Sequence, residues 1–161
     1  MDKLQQVRAF QATVESGIAG LEGLIALLHE EQAALLSANG EALADVVQRK
    51  AAQLETLSHS SQARDHLLGS IGLPIGPPGA VGFLEQMKAP QVARETWERH
   101  HTLSVEAARL NEYNGRLAIQ GERNTRKALS ILTGRQTDTN TYGKDRKHSL
   151  SGIPRSSLAK A

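Results

Sequence analysis

The sequence predicts an all-α fold: an antiparallel bundle of three long helices with a Gly/Pro-rich loop and a flexible C-terminal arm. Three observations support this prediction. The 161 residues are rich in Ala, Leu, Glu, Gln and Arg, and only 3% are aromatic, a composition typical of helices. Apolar residues recur at steps of three and four along three stretches. Residues that favour turns separate these stretches.

The first predicted helix carries an apolar ladder from Leu4 to Leu35, in which eight of ten positions are apolar. Its heptad-like spacing favours near-parallel packing against neighbouring helices. Gly17, Gly20 and Gly23 lie inside this stretch, where each costs about 1 kcal/mol relative to Ala. Two interpretations stay open: glycines tolerated on the surface, or a bend or close approach of another backbone.

The second predicted helix runs from Glu41 to Ser70. It follows a turn at residues 37–40, in which Asn39 is the predicted N-cap. A four-residue connection makes this helix antiparallel to the first one. Long basic side chains can cover apolar surface while their charged ends reach water. The apolar seam passes through Leu43, Val47, Leu54, Leu57, Leu68 and Ile71, and it is interrupted by Lys50, Ser61 and Arg64.

Gly and Pro fill eight of the fourteen positions in residues 69–82, and we predict a loop without a regular element there. A short helical turn is expected at residues 83–88. The third long helix is predicted from Pro90 to Thr133, with Gly134 as its C-terminal cap. The pair Asn114-Gly115 is typical of hairpins, but its flanks have a helical period, so we predict an uninterrupted helix.

One face of the third predicted helix mixes apolar and polar side chains. Leu103, Leu110 and Leu117 follow the helical spacing, while His100 and Asn114 share the same seam. Polar groups buried there would need hydrogen bonds. We therefore interpret the seam as part core and part adjustable binding surface.

The positive charge of the chain is concentrated at its C-terminal end. From Arg135 onward there are six Lys or Arg and two Asp, a net charge of +4, whereas residues 1–134 carry −2. We predict a helical domain over residues 1–134 and a basic flexible tail over residues 135–161. The tail suits a segment that folds on a partner, with a frayed terminus as the open alternative. Binding of nucleic acid through the tail is a weaker hypothesis, because the body is mildly acidic.

The sequence contains fragments of catalytic and metal-binding patterns, and none of them is complete. His29-Glu30 begins a zinc-protease pattern, but Ala33 stands where the second histidine is needed. His100 and His101 point to different sides of a helix, which one metal ion cannot easily bridge. No nucleophile with a base and an orienting group stands out. We expect no enzyme activity, no cofactor, no metal site and no nucleic-acid partner.

The cellular location follows from two features of the sequence. There is no cysteine, which is compatible with a reducing compartment. No run of about 18 apolar residues is present to span a bilayer. We therefore expect a cytoplasmic protein without membrane insertion.

Several short segments between residues 20 and 145 stand in a characteristic order. They are LHEE at 28–31, LL at 35–36, Lys50, LETL at 54–57, residues 64–69, NEYNGRL at 111–117, residues 128–134 and Tyr142-Gly143. Together these segments resemble the FlgN-type flagellar export chaperones. The resemblance implies a small cytoplasmic helical chaperone of the flagellar type III secretion system, which holds the hook-associated proteins FlgK and FlgL and delivers them to the export apparatus.

The resemblance implies that the C-terminal region binds the helical C-terminus of a client, and a groove between long helices suits such a ligand. We expect a monomer or at most a weak homodimer. The rival interpretation is a structural coiled-coil protein whose seams close against copies of itself. The predicted client-binding residues are Leu103, Leu110, Asn111, Asn114, Gly115, Leu117, Ile131, Tyr142, Gly143, Leu150 and Ile153.

Overall fold

The computed structural model of the protein describes residues 2–133, which form four helices and no strand. The prediction of an all-α fold is therefore confirmed. Within the described residues the chain divides into two units, the first ending at Arg126 and the second beginning at Lys127. The helices are α1 (Lys3–Leu36), α2 (Gly40–Ser70), α3 (Pro77–Gln86) and α4 (Gln91–Leu132).

Side-chain caps fix the starts of the first two helices. Oδ1 of Asp2 accepts from the N–H of Gln5 at 2.7 Å, and Oε1 of Gln5 accepts from the N–H of Asp2 at 3.0 Å. This reciprocal pair satisfies two N–H groups at the start of α1. Oδ1 of Asn39 accepts from the N–H of Ala42 at 3.0 Å, so the predicted N-cap of α2 is confirmed. The uninterrupted helix predicted through Asn114-Gly115 is also confirmed.

α1 and α2 run in opposite directions with little space between them. Gly17 near the middle of α1 faces Ser60, while Glu30 near its end pairs with Arg49 at 2.6 Å. A Cβ at Gly20 would lie 2.7 Å from Cδ2 of Leu57. The close approach that these glycines allow is therefore made by side chains and not by another backbone: Leu57 and Gln53 of α2 at Gly20 and Gly23, and His100 of α4 at Gly17.

The predicted seam of α2 is confirmed in part. Leu68 is fully buried, and Leu43, Leu57 and Ile71 are half-buried. The prediction was wrong for Val47 and Leu54, which are 45% and 48% exposed, because the side facing α1 is rich in polar residues. The buried and half-buried side of α2 passes through Val46, Lys50, Gln53, Leu57, Ser60, Arg64 and Leu67.

α3 occupies part of the predicted loop and α2 extends to Ser70, so the prediction of no regular element in residues 69–82 was wrong for residues 69–70 and 77–82. Pro77 and Pro78 fit the first helical turn, where a missing N–H breaks no intrahelical bond. Gly76 precedes them with φ +78°, a left-handed conformation that glycine adopts without strain. The helix is held by Phe83, whose ring stacks on Phe10 with centroids 4.5 Å apart.

Two clusters form the core of the first unit. The larger one includes Phe10, Phe83 and Trp97 and lies where all four helices meet. The smaller one joins α1 to α4 through Leu21, Leu24, Leu28, Ala107 and Leu110.

Candidate functional site

A groove of about 450 Å³ lies between α2 and α4, with α1 as its floor. We name it the α2–α4 groove. The Cα atoms of α4 stay more than 8 Å from those of the other long helices nearly throughout, which leaves this space between α2 and α4. Its walls are formed by Leu21 and Leu24 of α1, Leu54, Leu57, Ser60, Ser61 and Arg64 of α2, Pro77 of α3, and Trp97, His100, His101, Ser104, Ala107, Ala108 and Asn111 of α4.

One end of the α2–α4 groove is apolar. Leu24 from the floor, Leu57 from α2 and Ala107 from α4 meet there, and Leu54 is 48% exposed at its edge. Small alanines on α4 leave room that larger side chains would fill. This end can therefore bury the apolar stripe of a helix laid along it.

The other end is organised around Arg64. Its guanidinium lies over the Trp97 ring, with Cζ 5.5 Å from the centroid. Nη2 donates to Oγ of Ser61 at 2.9 Å. The residue is only 8% exposed, and its Nε is buried without a hydrogen-bond partner among residues 2–133. Oδ1 of Asp65 is 3.7 Å from Nε, too far for a hydrogen bond.

His100 lies beside Arg64 at the same end. Its ring stacks on Trp97 with centroids 5.2 Å apart and planes at 11°. Burial, together with the positive charges of Arg64 and His101, lowers the pKa of His100 to about 4. The ring is therefore neutral at pH 7, and its buried Nδ1 has no hydrogen-bond partner within the described part of the chain.

The ionisable residues that line the α2–α4 groove are all basic. They are Arg64, His100 and His101, and neither Asp nor Glu is among the lining residues. The groove therefore combines an apolar end with a basic one. This asymmetry gives a bound helix a preferred charge pattern as well as a preferred apolar stripe.

A buried polar network anchors α4 to the other two long helices beyond the groove. Nδ2 of Asn114 donates to the carbonyl of Leu28 at 2.8 Å and to Oε2 of Glu31 at 2.9 Å. Nζ of Lys50 donates to Oε1 of Glu31 at 2.5 Å. Asn114 and Glu31 are 2% and 6% exposed, so the network holds α4 in one register.

The client-binding residues predicted from the sequence lie in different environments. Asn111 lines the α2–α4 groove, whereas Leu110 and Asn114 are buried against α1 and Leu103 is half-buried there. Leu117 is half-buried, Gly115 is exposed, and Ile131 in the second unit is 79% exposed. Their role in binding stays a prediction. The last four, Tyr142, Gly143, Leu150 and Ile153, lie outside the described residues, as does the predicted cap Gly134.

The site residues predicted from the sequence belong to α4 and the C-terminal tail, and the wall contributed by α2 was not predicted. A partial signal was present, because Ser61, Arg64 and His100 all interrupt apolar seams. The sequence could not show that these interruptions meet, since α2 and α4 come together only in the folded chain.

Among the described residues, no three His, Asp or Glu side chains are grouped so that they could hold a metal ion. None of the helices described has both the length and the apolar character needed to cross a membrane.

Comparison with known proteins gives one match. A family model described as FlgN protein matches residues 1–149. No curated protein and no solved structure matches the chain. The matched segment contains all four helices and every residue that lines the α2–α4 groove.

Proposed function

The chain belongs to the FlgN family, and from that premise we propose that it is a non-enzymatic export chaperone of flagellum assembly. Its clients are hook-associated proteins of the FlgK or FlgL type. It holds their C-terminal helical segments in the cytoplasm and delivers them to the export apparatus of the type III secretion system.

The observation that carries this proposal is the α2–α4 groove. A client segment that folds into an amphipathic helix needs a surface for its apolar stripe, and the apolar end of the groove provides one. Burial contributes about 25 cal/mol per Å² of apolar area. The ordering of the client segment opposes this gain, so the complex can be stable enough to hold a client and weak enough to release it.

The architecture proposed for this function is an antiparallel bundle of α1, α2 and α4, closed at one end by α3. The opposite directions of α1 and α2 support it. The buried Asn114–Glu31 contact supports a fixed place for α4. A rigid floor with one wall held at a distance leaves the groove open before a client arrives.

Filling the groove tests the proposal. Ala108 is exposed and lines the groove, whereas Ala51 is exposed on α2 and does not line it. Ala108→Trp should weaken binding of a FlgK-type or FlgL-type C-terminal peptide about tenfold or more, because the indole occupies the space of the client. Ala51→Trp is the matched control and should bind as the unchanged protein does.

Fluorescence anisotropy with a labelled peptide measures the affinity, and circular dichroism checks that both variants keep their helix content. Equal affinity of the two variants would contradict the groove as the client site.

The rival function, a structural coiled-coil protein, is favoured by one observation. Val47 and Leu54 form an exposed apolar stripe on α2, which another copy could cover. Mass measurement across a dilution series separates the two functions. A tight oligomer supports the rival, whereas a monomer or weak dimer that binds its client one to one supports the chaperone.

A further inference from the structure

We propose that the α2–α4 groove selects a helix with a carboxylate two turns away from its main apolar contact, and that Arg64, His100 and His101 form the subsite for that carboxylate. This inference rests on the proposed function, because the occupant is the client helix.

Arg64 is the first reason. A buried charge is costly unless it is paired and hydrogen-bonded. Arg64 is 8% exposed, yet Nε is unpartnered among residues 2–133. The nearby carboxylate of Asp65 is 3.7 Å away and already accepts from the N–H of Gly76 at 3.1 Å. A carboxylate from the groove would give Arg64 a hydrogen-bonded counter-charge, which Asp65 at 3.7 Å does not provide.

The histidines beside Arg64 are the second reason. His100 has a buried Nδ1 without a partner in the described chain, and it is kept neutral by burial and by its basic neighbours, which lower its pKa to about 4. A carboxylate nearby reverses the effect of those neighbours and favours the protonated ring. His101 is exposed at the rim, where it meets an incoming client first.

Charge also identifies the occupant. Among the residues that line the groove, Arg64 is positively charged, His100 is neutral at pH 7 and none is acidic, so a positively charged segment finds no opposite charge there. Residues 135–161 of the chain carry +4, so the tail is a poor occupant of its own groove. An acidic amphipathic helix from a client complements the site in both charge and apolarity.

The spacing follows from the walls. On α2, Leu57 precedes Arg64 by seven residues, and on α4, His100 precedes Ala107 by seven. Seven residues correspond to two helical turns, or about 10.5 Å. A helix lying along the groove therefore places an apolar residue and the carboxylate seven positions apart. Which of the two comes first in the client sequence depends on the direction in which the helix runs.

Synthetic peptides test the inference on the full-length protein. Each is a FlgK-type C-terminal segment of about 20 residues, roughly 30 Å as a helix. It carries Glu, Gln or Lys seven residues before or after a Leu of its apolar stripe. The Glu peptide in one of the two orders should bind about tenfold tighter than its Gln counterpart, and the Lys peptide should bind weakest.

Protein variants locate the effect. Arg64→Gln should abolish the preference for Glu over Gln, while Arg116→Gln, an exposed arginine of α4 outside the groove, should leave it intact. His101→Gln should reduce the preference for the Glu peptide over the Gln peptide. Because His101 is exposed, this variant tests the carboxylate subsite even if Arg64→Gln does not fold. Bound Glu peptide should also raise the pKa of His100, followed by NMR of the ring protons.

The outcomes distinguish the two proposals. If every peptide binds equally and Ala108→Trp still blocks binding, the carboxylate subsite is wrong and the chaperone groove stands. If Ala108→Trp changes nothing, the groove is wrong as the client site. Tightest binding of the Lys peptide would overturn the subsite outright.

Discussion

The side-chain amide of Asn114 donates to Oε2 of Glu31 at 2.9 Å, which joins α4 to α1 inside the protein. Lys50 of α2 binds the other oxygen of the same carboxylate. One acidic side chain thus receives contacts from both neighbouring helices. A buried network of this kind fixes register, because a shift of α4 by one residue would leave the carboxylate without its amide donor.

Asn114→Ala should destabilise the protein by about 1–3 kcal/mol, because the buried carboxylate of Glu31 and the carbonyl of Leu28 each lose a donor. The midpoint of urea unfolding measures the change. Asn111→Ala on the exposed rim of the groove is the control and should alter stability little. An unchanged midpoint for Asn114→Ala would show that the network adds no net stability.

Gly115→Ala should have the opposite effect. A Cβ at this position meets nothing within 4 Å, and alanine is favoured over glycine in a helix by about 1 kcal/mol. The urea midpoint should therefore rise. Asn114 and Gly115 are adjacent in the sequence, but their environments differ: Asn114 is buried and Gly115 is exposed. A lower midpoint for Gly115→Ala would show that its conformation or mobility is needed.

Local signals predicted α1, α2 and α4, whereas α3 depended on distant contacts. Turn residues and a cap such as Asn39 act within a few positions, so the sequence reveals them. α3 is held by the contact of Phe83 with Phe10, which lies 73 positions earlier in the sequence. No local pattern in a Gly/Pro-rich stretch indicates that contact. The same limit applies to α2, whose polar residues Gln53 and Ser60 are covered only because glycines of α1 lie opposite.

One of the two walls of the candidate site was predictable from the sequence. The α4 wall carries a seam of mixed apolar and polar side chains that indicates binding, and Asn111 was predicted from it. The α2 wall was not predicted, because Leu54 and Arg64 acquire their role only when α4 stands opposite at a distance. The groove depends on the distance between α2 and α4, and packing sets that distance, not the local sequence pattern.

Gly17→Ala should destabilise the protein by about 1–3 kcal/mol through overpacking. The new Cβ would lie 2.8 Å from Nε2 of His100, and that ring cannot retreat easily because Trp97 stacks against it. Gly121→Ala, inside α4 with nothing within 4 Å, is the matched control and should be neutral or stabilising. Thermal unfolding of both variants makes the comparison. A stable Gly17→Ala protein would show that His100 can move.

Deletion of residues 135–161 should weaken capture of a client C-terminal segment and leave the helix content of the body intact. The caps, the two core clusters and the Asn114–Glu31 contact all lie among residues 2–133, so the body retains what stabilises it. Anisotropy with the labelled peptide and circular dichroism measure the two properties. Unchanged affinity after deletion would remove Tyr142, Gly143, Leu150 and Ile153 from the client site.

Stability should fall as the pH is lowered from about 6.5 to about 4, and His100 should be one cause. The pKa of His100 is lowered from 6.5 to about 4 in the folded protein, so in this window the unfolded chain binds a proton that the folded chain does not. The free energy of unfolding therefore rises with pH across this window. Below about pH 4 the destabilisation caused by His100 is complete.

His100→Phe keeps a ring against Trp97 and removes the titration, so it should flatten this slope. His59→Gln, at an exposed position of α2, is the control and should retain the slope. Urea unfolding at a series of pH values measures it, and an identical slope in the unchanged protein and His100→Phe would show that His100 does not carry this dependence.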